Sequence, residues 1–195
     1  MIEPRPLSSP ALVTFGQLAD DYCRLIETSD SLDATGLICQ AHLLIPRLYV
    51  AAIALPSTDI LYDGSEDSPE DDDLPVPEFT KDPDRREQAE WSALYERLRA
   101  TLGKWCDYRE IFDPYEPPAE KEVQGSLADD LADIYFDLRT GLRKWNRGDG
   151  AGALWEWRVG LENHWGEHAT GALRAMHTLA SNYDMGWPKP EPGAA

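Results

Sequence analysis

Apolar residues recur at steps of three and four along most of the chain, which is the spacing that places them on one face of an α-helix. One such run follows Ser126, a residue type that commonly caps helix N-termini, and Asp129 three positions later completes a capping box. The apolar positions of this run are Leu127, Leu131, Ile134, Tyr135, Leu138, Leu142 and Trp145. Gly148 comes after a basic turn and indicates a C-terminal end. The sequence therefore predicts a helix over residues 127–147.

Four other stretches show the same periodicity. Residues 9–29 begin with a Ser-Pro pair that suits a helix N-terminus, residues 32–55 are strongly apolar, and residues 82–105 have a regular amphipathic pattern. Pro46 should kink or break the second of these helices, because proline lacks an amide hydrogen and clashes with the preceding turn. The last stretch, residues 150–181, follows the predicted helix 127–147 after a short connection, which favours antiparallel packing of the two.

The remaining segments lack helical periodicity. Residues 56–81 are rich in Asp, Glu, Ser and Pro and are predicted to form a long acidic loop. Residues 1–8 and 183–195 are predicted to be disordered tails, and YREIFDPYE (108–116) suits a short extended segment over the helices. No stretch shows sustained alternation of polar and apolar residues. We therefore predict an all-α fold, with a single domain at 9–182 that forms a five- to six-helix bundle.

The formal net charge of the 195-residue chain is −18, which changes the range of partners to expect. Such a charge argues against binding to nucleic-acid backbones or anionic membranes, and it suits a cation, a basic protein partner or simple solubility. Cys23, Cys39 and Cys106 are odd in number and widely spaced, so they favour a reducing cytoplasm. The N-terminus has no apolar signal segment, and polar residues interrupt the apolar run 37–55. We expect a cytoplasmic protein in which this run is a buried helix and not a membrane span.

An acidic stripe is the first candidate for chemistry. At about 100° per residue, Asp130, Asp133 and Asp137 fall together on the flank of the apolar face of helix 127–147, whereas Asp129 points more outward. One interpretation is a solvated edge whose carboxylates pair with basic residues of the same helix. The other is a metal or proton-transfer site, because adjacent carboxylates repel each other unless a cation or proton lies among them.

Two histidines on the next predicted helix are the second candidate. His164 and His168 lie four residues apart, a spacing that lets two imidazoles bind one transition metal. A histidine on an apolar face can instead be a core residue hydrogen-bonded to a carboxylate or carbonyl. Gly166 either allows close helix contact or splits the helix there. If the two helices pack antiparallel, these histidines can join Asp130, Asp133 and Asp137 in a mixed site suited to Mn, Fe or Zn, whereas the acids alone would suit Mg.

Several segments in order resemble a known family. LIPRLYVAAIALP, YREIFDPYE, SLADDLADIYFDLRTGL, ALWEWR and HWGEHATGALRAMH are similar to the bacterial family called domain of unknown function 5063. The similarity covers about residues 15–179, with the acidic loop as the variable part. It implies a helical, bacterial, cytoplasmic protein of this size. It implies no established activity and supplies no catalytic residues.

A second, more limited similarity is to the all-helical nucleotide pyrophosphatases. These enzymes hold magnesium with ExxE and ExxD pairs on adjacent helices, and Glu87/Glu90 and Asp130/Asp133 have the corresponding three-residue spacing. The second pair has Asp in place of Glu, and the separation of the pairs is longer than in that family.

Three functions remain open at the level of sequence. The first expectation is a non-catalytic interaction protein, since the chain lacks a strong nucleophile or phosphate-loop motif and contains a long acidic loop. The alternative is a metal-dependent hydrolase with an Asp/His site between helices 127–147 and 150–181. The third is a bacterial toxin-neutralising or regulatory partner whose negative charge steers a basic target.

Overall fold

The structure is a computed structural model that describes residues 9–57, 83–110, 115, 123–183 and 185. Within these residues the chain forms six α-helices and one two-stranded sheet, which confirms the all-α helical bundle. The helices are α1 (Pro10–Glu27), α2 (Ala34–Ile53), α3 (Pro83–Leu102), α4 (Leu127–Trp145), α5 (Gly150–Asn163) and α6 (Trp165–Asn182). The strands are β1 (Asp107–Glu110) and β2 (Val123–Ser126).

Four helices begin at the polar residues that sequence reasoning would select as N-caps. Ser9 and Ser126 accept hydrogen bonds from Leu12 N and Asp129 N, at 3.2 and 3.4 Å. Asp33 and Asp149 cap α2 and α5 by accepting from the amide nitrogens three residues on, at 2.7 and 2.8 Å. Each cap satisfies one of the amide groups that a helix start leaves without a partner.

Of the kink or break expected at Pro46, the break is wrong, because α2 continues from Ala34 to Ile53 with Pro46 inside it. The flanking residues Ile45 and Leu48 are 1% and 0% exposed. Their packing against the core offsets the backbone hydrogen bond that proline removes. By length and composition, α2 could also cross a membrane. The core helices of globular proteins can have the same length and composition. The expectation that α2 does not span a membrane therefore stays a prediction.

The hairpin of β1 and β2 was not predicted as a sheet. Its strands pair antiparallel, with Tyr108 opposite Gly125 and Glu110 opposite Val123. Four residues are too few for an alternating pattern to stand out in a sequence. The extended segment expected at 108–116 is therefore found for 108–110, and of the rest only Tyr115 is among the described residues.

Helix α4 is the centre of the bundle and packs against α1, α3, α5 and α6. The buried apolar residues of all six helices form one cluster. Buried polar atoms of this cluster are satisfied by the α4 backbone: Tyr22 Oη donates to the Leu131 carbonyl at 3.0 Å, and Trp157 Nε1 donates to the Leu138 carbonyl at 3.1 Å. Because its apolar face is covered on several sides, α4 holds its acidic flank in a fixed position.

The stretch predicted as one helix over 150–181 is two helices, and the break is at His164, close to Gly166, near which a split was one of the expectations. His164 has φ −151° and ψ −84°, between the end of α5 and the start of α6. Gly166 lies directly against the carbonyl group of Leu161, where a side chain would collide with backbone. Glycine is thus required just after the break, because the two helices meet there in a tight corner.

The predicted tail 1–8, most of the tail 183–195 and the acidic loop from residue 58 onward lie outside the described residues. Of the C-terminal tail, Tyr183 is described, and its ring packs edge-on against Trp105 with 5.5 Å between centroids. The domain limits 9–182 stay a prediction, although the helices extend from Pro10 to Asn182.

Candidate metal centre

Helices α4 and α6 bring all five predicted site residues into one cluster. The Nδ1 atom of His168 lies 3.0 Å from Oδ1 of Asp130, and its Nε2 atom lies 3.4 Å from Oδ2 of Asp133. The Nδ1 atom of His164 lies 2.9 Å from Oδ2 of Asp137. The two imidazole centroids are 5.0 Å apart. The acidic stripe thus pairs with histidines of the neighbouring helix pair and not with basic residues of its own helix.

Two sets of side chains are close enough together to share an ion. One is Asp133, His164 and His168, and the other is Asp129, Asp130 and His168; in each, one ligand atom per residue lies within 4.8 Å of the others. Asp129 is more exposed than Asp130, as its outward position on the helical wheel predicts, yet it still lies close enough to His168 to join the second set. A helical wheel gives its angle relative to the apolar face, but it does not show where His168 of α6 will lie.

Asp130 is the most buried acid of the cluster, at 6% exposure. It accepts hydrogen bonds from Tyr108 Oη at 2.7 Å and from His168. Burial raises the pKa of Asp130, and the two hydrogen bonds oppose this shift. With both oxygen atoms engaged, Asp130 holds the His168 ring in one orientation and leaves its Nε2 atom facing Asp133.

Two glycines allow Tyr108 to reach Asp130. A Cβ atom at Gly125, its partner across the sheet, would lie 2.6 Å from the Tyr108 ring. A Cβ atom at Gly171 of α6 would lie 2.7 Å from the Tyr108 hydroxyl. Contacts this short are absent between real side chains, so any larger residue at either position would displace the ring.

Asp133 is held from the opposite side by α3. Trp91 Nε1 donates to Oδ1 of Asp133 at 2.6 Å, and the Trp91 ring stacks on Tyr95 at 5.2 Å between centroids. This bond leaves Oδ2 of Asp133 directed to His168. Sequence reasoning missed both Trp91 and Tyr108, because each was recognisable only as an aromatic residue with an ordinary packing role.

The charge state of His168 follows from its neighbours. Burial acts to lower the pKa of His168, but the hydrogen bond that the ring donates to Asp130 and the negative charge of Asp133 raise it above the ordinary value of 6.5. In the absence of an ion, a protonated imidazole that donates from both nitrogens satisfies the two carboxylates. A metal ion would take the place of the proton on Nε2.

A small cavity borders the cluster on the His164 side. Its volume is about 270 Å³, and it is lined by Asp137, Thr140, Trp155, Glu156, Val159, Gly160, Asn163 and His164. The side chain of His164 is 51% exposed, whereas that of His168 is 21% exposed. An ion held by both rings would therefore be reached by solvent from the His164 side.

The magnesium pairs expected by similarity to the nucleotide pyrophosphatases are not assembled in the described residues. Glu90 accepts a hydrogen bond from Arg139 Nη2 at 2.7 Å, which satisfies it on the α3–α4 interface. Neither Glu87 nor Glu90 belongs to the groups that could share an ion in the described part of the chain. The structure thus offers no support for this similarity.

The sequence around the histidines also contains a signal that was overlooked. His164, Glu167 and His168 have the order HxxEH, which one class of zinc hydrolases uses for two ligands and a general base. In this chain His164 lies at a helix break, and Glu167 is exposed in the first turn of α6. The HxxEH order is consistent with His164 and His168 as a pair of metal ligands. It assigns no role to Glu167.

Comparison with known proteins identifies the fold and the family. A protein-family model described as domain of unknown function (DUF5063) matches residues 7–182. The crystal structure of protein BF1032 from Bacteroides fragilis, a structural genomics target, is similar with a TM-score of 0.66 at 21% identity, and the similarity covers 98% of this chain and 99% of that one. No functionally curated protein matches. At that identity the structural similarity shows the fold alone.

Proposed function

Since the chain belongs to the family described as domain of unknown function (DUF5063), whose description names no activity, we propose its function from the site: it binds one divalent transition-metal ion through Asp133, His164 and His168. The observation that carries this proposal is that one polar atom of each ligand is already hydrogen-bonded to another side chain, while one ligand atom of each residue lies within 4.8 Å of the others.

The supporting contacts have the form of an outer coordination shell. Trp91 holds Oδ1 of Asp133, Asp130 holds Nδ1 of His168, and Asp137 holds Nδ1 of His164. Histidines that bind metals usually donate their other ring N–H to a carboxylate in this way, which fixes the tautomer and the orientation of the ring. The ligand atoms are now within 4.8 Å of each other. Around an ion at about 2.1 Å they would be about 3 to 3.4 Å apart, and Nε2 of His168 and Oδ2 of Asp133 are already 3.4 Å apart.

The donor set indicates which ions fit. Two imidazole nitrogens and one carboxylate oxygen suit Fe(II), Mn(II) or Zn(II), whereas magnesium prefers oxygen ligands only. The second group, Asp129, Asp130 and His168, shares His168 with the first. The two groups are therefore alternative, neighbouring positions for one ion, and not two sites that are filled together. The hydrogen bond from Tyr108 already occupies Asp130, which favours the position at Asp133.

Three protein ligands leave coordination positions open for water or substrate, as in catalytic metal sites. The cavity of about 270 Å³ beside His164 provides space next to one of the three ligands. A metal ion there would lower the pKa of a bound water and polarise a scissile group, which is the chemistry of a hydrolase. Metal-dependent hydrolysis is therefore the activity that we propose for this site.

A non-catalytic role is the second candidate, and one observation favours it. His168 is hydrogen-bonded to Asp130 through Nδ1, and its Nε2 atom lies 3.4 Å from Asp133, so a protonated ring balances the charge of both carboxylates without an ion. In that case the histidines stabilise the fold, and the negative surface would serve a basic protein partner. A measurement of metal binding distinguishes the two functions, because the non-catalytic role requires no metal affinity.

Metal binding by the purified protein tests the proposal. Protein prepared without chelator is analysed for metals, and chelator-treated protein is titrated with Zn(II), Mn(II) and Co(II). We expect one ion per chain, and an affinity that falls by about 100-fold or more in the Asp133→Asn variant, beyond the 10- to 100-fold typical of outer-shell changes. Asp20→Asn, an exposed acid on α1 that is paired with Arg24, is the matched control. Equal affinity in both variants, or no binding by the unaltered protein, would refute the metal centre.

A further inference from the structure

A second and larger cavity lies on the other side of Tyr108 from the metal cluster. Its volume is about 600 Å³, within the range of small-molecule sites. It is enclosed by the turn before β1, by β1 itself and by the C-terminal half of α6. The described residues that line it are Lys104, Trp105, Asp107, Tyr108, Arg109, Leu127, Arg174, Ala175, Thr178, Leu179 and Tyr183.

The charged side chains that line this cavity are mostly positive, whereas the net charge of the chain is negative. The whole protein has a net charge of −18, yet Lys104, Arg109 and Arg174 all line the cavity, with Asp107 as its only acid among the described lining residues. Asp107 is already bound by both guanidinium nitrogens of Arg99, at 3.1 and 3.3 Å. In a chain with twice as many acids as bases, this concentration of cations creates a local site for an anion.

Aromatic rings form the other feature of the cavity. Trp105 and Tyr183 pack edge to face at 5.5 Å between centroids, and the ammonium group of Lys104 lies 4.4 Å from the centroid of Trp105. Tyr183 is 56% exposed, so a large apolar surface remains available to a ligand. Leu127, Ala175 and Leu179 provide an apolar floor. A flat ring placed on this surface would gain stacking and burial at once.

We propose that this cavity binds a small organic anion that contains an aromatic ring and a phosphate or carboxylate group. Lys104 recognises the anionic group, since its ammonium group offers three hydrogen-bond donors to either kind of oxyanion, and Arg109 adds to the positive field around it. The ring lies against Trp105 and Tyr183. Arg174 is paired with Glu110 of β1, so it contributes to the positive field while it remains bound within the fold.

This site is independent of the metal centre in its chemistry, although Tyr108 contacts both. The ring of Tyr108 lines the cavity, and its hydroxyl group donates to Asp130. A ligand in the cavity would therefore lie one side chain away from the residue that orients His168. Because the cavity residues include none of the proposed metal ligands, binding of the anion can be measured in metal-free protein. If the anion does not bind, the proposed metal centre is not affected by that result.

Calorimetric titration of the full chain with four probes tests the assignment. AMP has a ring and a phosphate, indole-3-acetate has a ring and a carboxylate, adenosine has only the ring, and inorganic phosphate has only the anion. We expect saturable binding of AMP or indole-3-acetate, with adenosine and phosphate weaker by about tenfold or more. Whichever ring-bearing anion binds more tightly identifies the anionic group. If neither binds, or if adenosine or phosphate binds as tightly, the proposal is overturned.

Variants locate the binding in this cavity. The double variant Lys104→Gln/Arg109→Gln should weaken binding of the ring-bearing anion by about tenfold or more, about 1.4 kcal/mol, because it removes two of the cations that line the cavity. Lys144→Gln is the matched control, since Lys144 lies over the ring of Trp155 at 5.7 Å in a similar contact outside the cavity. Circular dichroism shows whether each variant is folded. Unchanged affinity in a folded double variant would place the ligand elsewhere and contradict the proposal.

Discussion

The Nδ1 atom of His168 lies 3.0 Å from Oδ1 of Asp130, a residue 38 positions earlier in the chain. Asp130 is 6% exposed, so this contact places an ionisable pair at the boundary of the core. Such a pair costs free energy of desolvation, which its hydrogen bonds must offset. Its geometry is that of a carboxylate that orients a metal-binding histidine, and this interpretation leads to the predictions below.

Tyr108 should influence metal affinity although it is not a ligand. The Tyr108→Phe variant removes the hydroxyl group that donates to Asp130 at 2.7 Å. Asp130 then loses one of the two bonds that fix it, and the His168 ring is less well oriented. We expect the affinity for Zn(II) to fall by about tenfold, at the lower end of outer-shell effects. Tyr183→Phe, at an exposed ring that packs on Trp105, is the control. An equal affinity in Tyr108→Phe and the control would show that Asp130 does not position the ligand.

The stability of the metal-free protein should depend on the protonation of His168. Its pKa in the folded state is raised above the ordinary value of 6.5, since the bonds and charges of Asp130 and Asp133 outweigh the effect of burial. A raised pKa gives stabilisation that is complete below the unfolded value and is lost as the pH rises through the folded value. Urea unfolding of the unaltered protein and His168→Gln should therefore differ more at about pH 6 than at about pH 9. A difference that grows with pH would contradict this assignment of charge.

The same proton should compete with a metal ion. Binding through Nε2 requires the neutral ring, so a raised pKa of His168 makes metal affinity dependent on pH into the neutral range. We expect the affinity for Zn(II) to decrease as the pH is lowered, with protons released on binding. Calorimetry in buffers of different ionisation enthalpy measures that release. Binding without proton release at neutral pH would indicate an ion that does not displace the proton of His168.

Gly171 should be required for the position of Tyr108. A methyl group there would lie 2.7 Å from both the Tyr108 hydroxyl and Oε2 of Glu110. Gly171→Ala therefore gains helix propensity but forces the hairpin away from α6, and we expect a net destabilisation of about 1 to 3 kcal/mol. Gly16→Ala in α1 is the control, because its new methyl group would meet neighbours only at 3.5 Å or more. Thermal unfolding of both variants measures the difference. A Gly171→Ala protein as stable as the control would show that the hairpin adjusts freely.

The residues of the site could be predicted from sequence to the extent that they lie on one helix. Asp130, Asp133 and Asp137 share a face because of helical spacing, and the short connection after α4 indicates that His164 and His168 return along it. The family resemblance is confirmed by the match over residues 7–182. These predictions depend on local periodicity and on one short loop, which are properties that a sequence shows directly.

The parts that could not be predicted depend on contacts between distant segments. Trp91 and Tyr108 come from α3 and β1, and their bonds to Asp133 and Asp130 cross 42 and 22 positions of the chain. The break at His164 has no proline to indicate it, and the tight corner there, in which Gly166 lies against the carbonyl of Leu161, depends on how α5 and α6 pack. Such features follow from how the helices pack, which residue spacing alone does not specify.

A crystal structure of protein soaked with Zn(II), with anomalous scattering measured at the zinc edge, tests the metal centre most directly. We predict one anomalous peak at about 2.0 to 2.2 Å from Asp133, His164 and His168, with Asp130 and Asp137 still bound to the Nδ1 atoms of the two rings. A peak bound by Asp129 and Asp130 without His164 would contradict this ligand set. The lack of any peak between α4 and α6 would contradict the metal centre as a whole.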